Sequence, residues 1–479
     1  MHSNLLARRN SRMDRPLNTD ISFYERRGGE RNQGTTTAGL ISVALLIGQN
    51  FSGLSIVPTV AIMVSILLAL VSVLGNLHIH KVAAYAIPFM AVWLVMQVVA
   101  HTGPLFGEPI LGWINDDGRA IVALLPVFVL ACTRPNGADR RLFVRVLVLL
   151  VWFNVSVFAL ATLHVIHDPG IIFRGNYFGL TSSHHAAGFL AGAAFLVVGF
   201  RWITTRSAVD VISAAASLVI ILASGSRSTI LGIALAVIWY GLTSGKIRAV
   251  LRTSIALAIG AAASLALSPR ILDTVRFLVT DSAGNVWDVF ARGMQQPHLT
   301  IVAEVAGQQL PGYAANIVDR FWIWGFAVGS WLRSPLVGIG TGRINDYDLH
   351  YSGIPGLVYV ANHGVTMPNA VIDAHNQFLN VLAENGIVGL VTMLMIWIVL
   401  YRQITRESGQ PIWQVTSAKL MVPYAFGTAL TGATLVSPAL TFVALVWPVL
   451  IAVRPTQSSG RSGASGSQIG PLASRSIGK

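Results

Sequence analysis

Charge is scarce in this sequence. Only 11% of the 479 residues are charged, whereas 53% are hydrophobic and the mean hydropathy is +0.63. Soluble globular proteins carry about 25% charged residues, so the composition excludes an ordinary soluble enzyme and indicates a polytopic membrane protein. Cysteine is almost absent, since Cys132 is the only one. An intramolecular disulfide and a cysteine-based metal cluster are therefore excluded.

Hydrophobic runs recur along the chain, and roughly 20 such residues suffice for a helix to cross a bilayer. We predict an all-α polytopic membrane protein with about 12 transmembrane helices. The predicted spans are residues 36–53, 55–75, 82–100, 119–133, 142–166, 184–200, 209–224, 228–243, 253–268, 386–401, 412–433 and 436–453. The Arg-rich residues 1–35 have no apolar core, so we expect a cytoplasmic tail there rather than a cleaved signal peptide.

The net charge of +13 follows the predicted topology. With the N-terminus in the cytoplasm, 24 of the 33 basic residues fall in cytoplasmic segments. That bias is what the positive-inside rule predicts, so nucleic acid is not needed as a partner to explain it. An even number of spans leaves both termini in the cytoplasm, including residues 454–479, a Ser- and Gly-rich segment that we expect to be disordered.

One predicted connection is far longer than the others. Residues 269–385 separate the first nine spans (36–268) from the last three (386–453) and lie on the outer side. Loops of that length are usually functional or separately folded. Within it, residues 317–332 are aromatic and apolar with one charged end. They predict an amphipathic helix at the membrane interface, with Trp322, Trp324 and Trp331 in the headgroup region.

Three ionisable side chains fall on the outer side and close to the membrane. Arg227 lies in the turn between two spans, Arg320 begins the amphipathic helix, and His375 precedes the tenth span. The guanidinium fork matches phosphate oxygens, and histidine can accept a proton near neutral pH. This set suits transfer from a lipid diphosphate donor. The arginines would hold the diphosphate, and His375 would take the proton of an acceptor hydroxyl.

Each of these residues also has a structural interpretation. An arginine at a membrane boundary often anchors the protein to headgroups. His375 could begin a helix for which Asp373 is the N-cap. The glycines of residues 338–342, Gly340 among them, resemble a phosphate-binding loop but lack the lysine and preceding strand of a P-loop. The alternative for them is a flexible turn after Pro335.

Several other polar residues are weaker candidates. His184 and His185 begin the sixth span and could form a polar cluster with Arg174 or serve a structural role at the interface. Asp346 and Asp348 have the spacing of a metal-binding acidic pair, although a solvated pair is favoured, and we predict no metal site and no cofactor. The loop before the fourth span contains three possible alternative bases: Glu108, Asp116 and Asp117.

Several segments resemble the O-antigen ligase family of the O-antigen ligase/polymerase superfamily. The strongest is His375-Asn376 followed by nine residues, Gly386, two residues and Gly389. Residues 225–228 (GSRS) resemble the family's SRS turn. Residues 319–342 resemble its segment ending in PLxGxGxG, and residues 174–179 with the following histidine pair are a looser match. The matches follow the family's order across about residues 170–400.

The resemblance implies a GT-C-like glycosyltransferase of the bacterial inner membrane, with its active site in a large periplasmic loop. The donor would be a glycan on undecaprenyl diphosphate, the acceptor a lipid A–core sugar, and the reaction metal-independent and inverting. His375 would be the catalytic base, and Arg227 and Arg320 would bind the diphosphate. Arg174 is assigned to the same donor site. The supporting residues are Asn376, Asp373, Ser226, Gly340 and His185.

Alternative functions remain at this point. A polymerase that joins lipid-linked repeat units, or a ligase acting on protein, would differ only in the acceptor. A transporter for a lipid-linked glycan is a different class of protein, and it would need charged or broken helices near the bilayer midplane. The centres of the predicted spans carry almost no charge, and this favours an enzyme.

Overall fold

The protein is described here from a computed structural model. It describes residues 91–92, 95, 137–166, 171–173, 176–179, 184–245, 248, 283–295, 312–339, 375–406, 410–432 and 438–452. All of them belong to one compact unit, Gly34–Lys479, and 86% of this part is helical. The prediction of a mainly helical membrane protein is confirmed at that level, whereas the count of 12 spans and the periplasmic loop stay predictions.

Helices and one small hairpin make up the described part of the chain. The helices are α1 Gly137–Thr162, α2 His184–Thr205, α3 Ala208–Ser224, α4 Arg227–Ser244, α5 Ala283–Gln295, α6 Gly312–Arg333, α7 Gln377–Arg406, α8 Ile412–Ala429 and α9 Pro438–Ala452. The strands β1 Ile172–Phe173 and β2 Asn176–Tyr177 pair antiparallel, with Ile172 opposite Tyr177.

The helices agree well with the predicted spans where the two can be compared. Helices α1, α2, α4 and α7 are long and apolar enough to cross a membrane, and α3 is a shorter apolar helix. Helix α7 begins at Gln377, well before the predicted boundary at 386. The predicted boundary is late because the first turns of the helix are polar. The predicted spans 36–53, 55–75, 119–133 and 253–268 lie outside the described residues, as does most of 82–100.

Helix α2 lies at the centre of the bundle, where it contacts α1, α3, α4, α8 and α9. Small residues let its neighbours approach closely, which is typical of helix contacts in membranes. A Cβ atom at Gly192 would overlap the Tyr424 hydroxyl, which donates a hydrogen bond to the Phe189 carbonyl oxygen at 2.9 Å. Helices α4 and α8 cross in the same way at Gly232 and Gly427.

Charged and polar side chains link the helices at the end of the bundle that is predicted to face the cytoplasm. The Arg201 Nε atom lies 3.2 Å from a carboxylate oxygen of the buried Asp210. Arg140 is also buried, and its Nε donates to the Leu450 carbonyl oxygen at 2.8 Å. These contacts join α1 to α9 and α2 to α3. The candidate site lies at the other end of the bundle.

Helices α5 and α6 pack backbone to backbone. Gly325 and Gly329 of α6 lie against the carbonyl groups of Phe290 and Met294 of α5, so closely that a Cβ at either glycine would overlap them. The spacing of these two glycines is the small-xxx-small pattern of tightly packed membrane helices.

The helix predicted at residues 317–332 is present as part of the longer helix α6, Gly312–Arg333. One of its predicted interfacial residues lies elsewhere: Trp322 is only 5% exposed and packs with Val289 of α5 and Phe326. The reason is the close pairing with α5, which buries one face of α6. The same apolar cluster includes Ala383 of α7, so α6 is also attached to the first turns of that helix.

Candidate active site

Four elements bring predicted site residues to one end of the bundle. They are the start of α2, the turn between α3 and α4, helix α6 and the start of α7. Gly188, one turn into α2, lies directly against Ser226 and Thr229 at the α3–α4 turn. His184, His375 and Arg320 all lie close enough to the His185 ring to interact with it electrostatically. Chain segments far apart in sequence therefore meet around the histidine pair.

The turn at residues 225–228 is tightly built. Gly225 has φ 62° and ends α3, and its N–H donates to the Leu222 carbonyl oxygen at 3.1 Å. Ser226 is fully buried, and its hydroxyl lies 2.9 Å from that of Thr229. Arg227 follows as the exposed first residue of α4. Ser226 thus stabilises the turn from inside, while Arg227 is accessible at a helix N-terminus.

The β-hairpin lies over this turn. Asn176 contacts Gly225, since a Cβ there would come within 2.6 Å of the asparagine Oδ1. The buried Tyr177 donates a hydrogen bond to the Asn154 carbonyl oxygen of α1 at 2.8 Å. Burial raises the pKa of Tyr177 above its ordinary value, so this hydroxyl stays protonated. Arg174 precedes Asn176 by two positions and lies outside the described residues.

The histidine pair forms the centre of the candidate site. The ring centroids of His184 and His185 are 3.9 Å apart, and the Phe178 ring lies 5.3 Å from His184. The buried Nδ1 atom of His185 has no hydrogen-bond partner among the residues that the structure describes. A buried polar atom of this kind costs free energy, so His185 is suited to binding a polar group of a substrate.

His375 stands immediately before the first turn of α7. Its φ of 45° lies in the left-handed region, which is uncommon for a residue other than glycine and often marks a functional site. The next residue, Asn376, is the N-cap: its Oδ1 accepts the Leu379 N–H at 3.1 Å. The cap considered at Asp373 is therefore taken by Asn376, and Asp373 itself lies outside the described residues.

The cap gives a testable prediction. Asn376→Ala is expected to destabilise the start of α7 by about 1 kcal/mol and to lower activity, because His375 directly precedes the cap. Asn376→Asp should retain the cap and the activity. Thermal unfolding in detergent and the rate of the catalysed reaction would be measured for both variants. An alanine variant with unchanged stability and rate would contradict the proposed role of the cap.

The sequence matches a known family across this region. Residues 212–394 match the family model described as O-antigen ligase. This segment of the chain is similar to the O-antigen ligase family. Members are glycosyltransferase-like enzymes of the ligase/polymerase type that act on lipid-linked glycans in a membrane environment. A search of curated proteins found no match. The matched segment contains Arg227, Arg320 and His375, and it ends within α7.

The segment similar to O-antigen ligases contains buried polar residues on α7 that are not among the predicted site residues. The Asn380 Nδ2 donates to a carboxylate oxygen of Glu384 at 3.0 Å, and both side chains are buried. Gln377 and Asn385 are buried on the same short segment. The available signal was polar residues at helical spacing, directly after His375 and before the apolar run. They had been assigned to the loop.

The described part of the glycine-rich segment after α6 packs against helix α7, which is a different role from that of a phosphate-binding loop. Gly338 has φ 73° and lies against the backbone of Glu384 and Asn385. It is therefore a contact between two backbones. The other candidates of the outer loops lie outside the described residues: Gly340, Asp346, Asp348, Glu108, Asp116 and Asp117. Among the residues described, no group of three His, Cys, Asp or Glu side chains could hold a metal ion.

Proposed function

We propose that this protein transfers a glycan from undecaprenyl diphosphate to a lipid A–core sugar, on the periplasmic side of the bacterial inner membrane. One observation carries the proposal: Arg320 of α6 and His375 before α7 both lie near His185 of α2, and the turn that carries Arg227 packs against the same end of α2. The match of residues 212–394 to the O-antigen ligase model supports the class of reaction. The geometry supports the assignment of each step to a residue.

The site suits a diphosphate because its positive charge comes from several sources. The N-termini of α2, α4 and α7 lie at this end of the bundle, and each helix N-terminus carries roughly half a positive charge and unpaired backbone N–H groups. Arg227 stands at one of these termini, and Arg320 is half-buried near His185. Guanidinium groups bind phosphate oxygens through two parallel hydrogen bonds. Arg174 would extend the same donor site.

The proposed chemistry is a single displacement. His375 takes the proton of the acceptor hydroxyl, and the hydroxyl oxygen attacks the anomeric carbon from the face opposite the diphosphate. The bond between that carbon and the diphosphate oxygen breaks, and undecaprenyl diphosphate leaves with the electron pair. Attack from the opposite face inverts the anomeric centre. The arginines and helix N-termini stabilise the developing negative charge, so the proposed reaction is metal-independent.

The test is transfer by the purified full-length protein with EDTA present. One sample receives undecaprenyl-diphosphate glycan and lipid A–core, and the other receives the donor alone. Glycan on lipid A–core is the expected result. Longer chains on the donor alone would overturn the acceptor assignment and make the protein a polymerase. Movement of donor across proteoliposomes without transfer would overturn the enzyme proposal in favour of a transporter.

A further inference from the structure

Helix α7 is broken at Gly386. This residue has φ 64° and ψ −166°, a conformation that essentially only glycine adopts. A break removes hydrogen bonds between the backbone groups of successive turns. The carbonyl groups before Gly386 and the N–H groups after it then need other partners, because buried backbone groups are almost always paired.

Residues 335–339, which follow α6, supply those partners. The Ile387 N–H donates to the Pro335 carbonyl oxygen at 2.9 Å, and the Val388 N–H donates to that of Leu336 at 3.2 Å. On the other side of the break, the Ile339 N–H donates to the Ala383 carbonyl oxygen at 2.9 Å. We call this segment with its three hydrogen bonds the splice. It joins both halves of α7 to the end of α6.

Two glycines make the splice possible. A Cβ atom at Gly386 would overlap the Leu336 carbonyl, and a Cβ at Gly338 would overlap the Glu384 carbonyl. Both glycines also have positive φ values, 64° and 73°. A larger residue at either position would therefore have to move the backbone of one segment away from the other, as well as strain its own.

The splice lies between two residues of the proposed active site. Its N-terminal side continues from α6, which carries Arg320. Its hydrogen bonds end on residues 383–388 of α7, and His375 and its neighbouring cap lie at the start of the same helix. The apolar cluster of α6 reinforces this link, because Ile323 and Ile339 pack with Ala383.

We infer that Gly338 and Gly386 are positioning residues: through the splice they fix His375 relative to Arg320, and thus the base relative to the bound diphosphate. The inference rests on the proposed function. A misplacement of about 1 Å between reacting groups can cost about 100-fold in rate. The splice therefore acts on the transfer step, whereas Arg227 and the helix N-termini continue to bind the donor.

The experiment compares Gly386→Ala and Gly338→Ala with Gly245→Ala. Gly245 has a similar φ of 68° but nothing within 4 Å of a Cβ, so its variant introduces a positive-φ alanine without the contact; the ψ of −166° adds further strain at Gly386 alone of these two. Donor sites are counted by titration with radiolabelled undecaprenyl diphosphate, and turnover is expressed per site. We expect turnover per site to fall about 10-fold or more in the two splice variants, with donor affinity and the control unchanged.

If the alanine variants do not fold, a less disruptive variant still tests the positioning role of the splice. Pro335→Gly loosens the segment and retains every hydrogen bond of the splice. It is expected to speed amide hydrogen exchange at Ile387 and Val388 and to lower turnover per site. A purely structural role would lower the number of donor sites and leave turnover per site unchanged, which would overturn the inference.

Failure of the inference is distinguishable from failure of the proposed function. If His375→Ala is inactive while the splice variants turn over at the rate of Gly245→Ala, the positioning role is wrong and the proposed function stands. If the unaltered protein transfers no glycan, the proposed function itself is wrong. If His375→Ala is fully active, His375 is not the base, and the positioning role that depends on it is overturned while the proposed function stands.

Discussion

His375→Ala is expected to abolish glycan transfer while membrane insertion and donor binding remain. A positioned general base contributes about 100- to 10,000-fold to a rate, and His375 is the residue to which we assign that role. Donor binding should persist because the proposed diphosphate site consists of Arg227, Arg320 and helix N-termini. The measurement is the rate of transfer to lipid A–core, together with the amount of protein in the membrane and the binding of undecaprenyl diphosphate.

The left-handed backbone at His375 calls for a second variant and a matched control. Asparagine tolerates the left-handed conformation, so His375→Asn keeps the entry to α7 and removes only the base; it should be as inactive as the alanine variant. His164→Ala is the control, since His164 is exposed and also has a positive φ, 56°. Normal transfer by His375→Asn would show that His375 is not the catalytic base.

Much of the membrane part was predictable because its signal is local. Apolar runs between basic turns predict α1–α4, α8 and α9 to within several residues, and the apolar part of α7, since hydrophobic length and positive charge act on each span separately. The ionisable residues Arg227, Arg320 and His375 were selected by their position near the membrane and by the family resemblance. The structure then brings the elements that carry them to one end of the bundle.

The features that were missed depend on partners distant in sequence. Gln377 had been assigned to a loop because the first turns of α7 are polar, yet they are buried against α6 and the splice. The break at Gly386 lies inside a run whose sequence predicts a continuous helix, and its backbone groups are paired by residues 335–339, more than 45 positions earlier in the chain. Trp322 is predicted at the membrane interface because of its residue type. It is buried instead, because Gly325 lets α5 pack closely against the face of α6 that carries Trp322. Tertiary contacts of this kind leave little local trace.

Arg320→Lys is expected to lower transfer about 10- to 100-fold, because a hydrogen bond to a charged group contributes about 1.5–3 kcal/mol. Lysine keeps the charge but loses the planar fork that can bind two phosphate oxygens at once. The loss should be seen in both the donor KM and kcat, since the leaving diphosphate gains charge in the transition state. Rates measured across a range of donor concentrations separate the two effects.

The two arginines should differ in their sensitivity to this change. Arg320 is half-buried near the histidine pair, so a lysine there has little freedom to approach the diphosphate. Arg227 is exposed at the N-terminus of α4, where the helix contributes part of the positive charge, and Arg227→Lys should lose less. Arg292→Lys serves as the control, because Arg292 is exposed on α5 and pairs with Asp288. Equal and small effects at Arg320 and Arg292 would mean that Arg320 anchors a helix and does not bind the diphosphate.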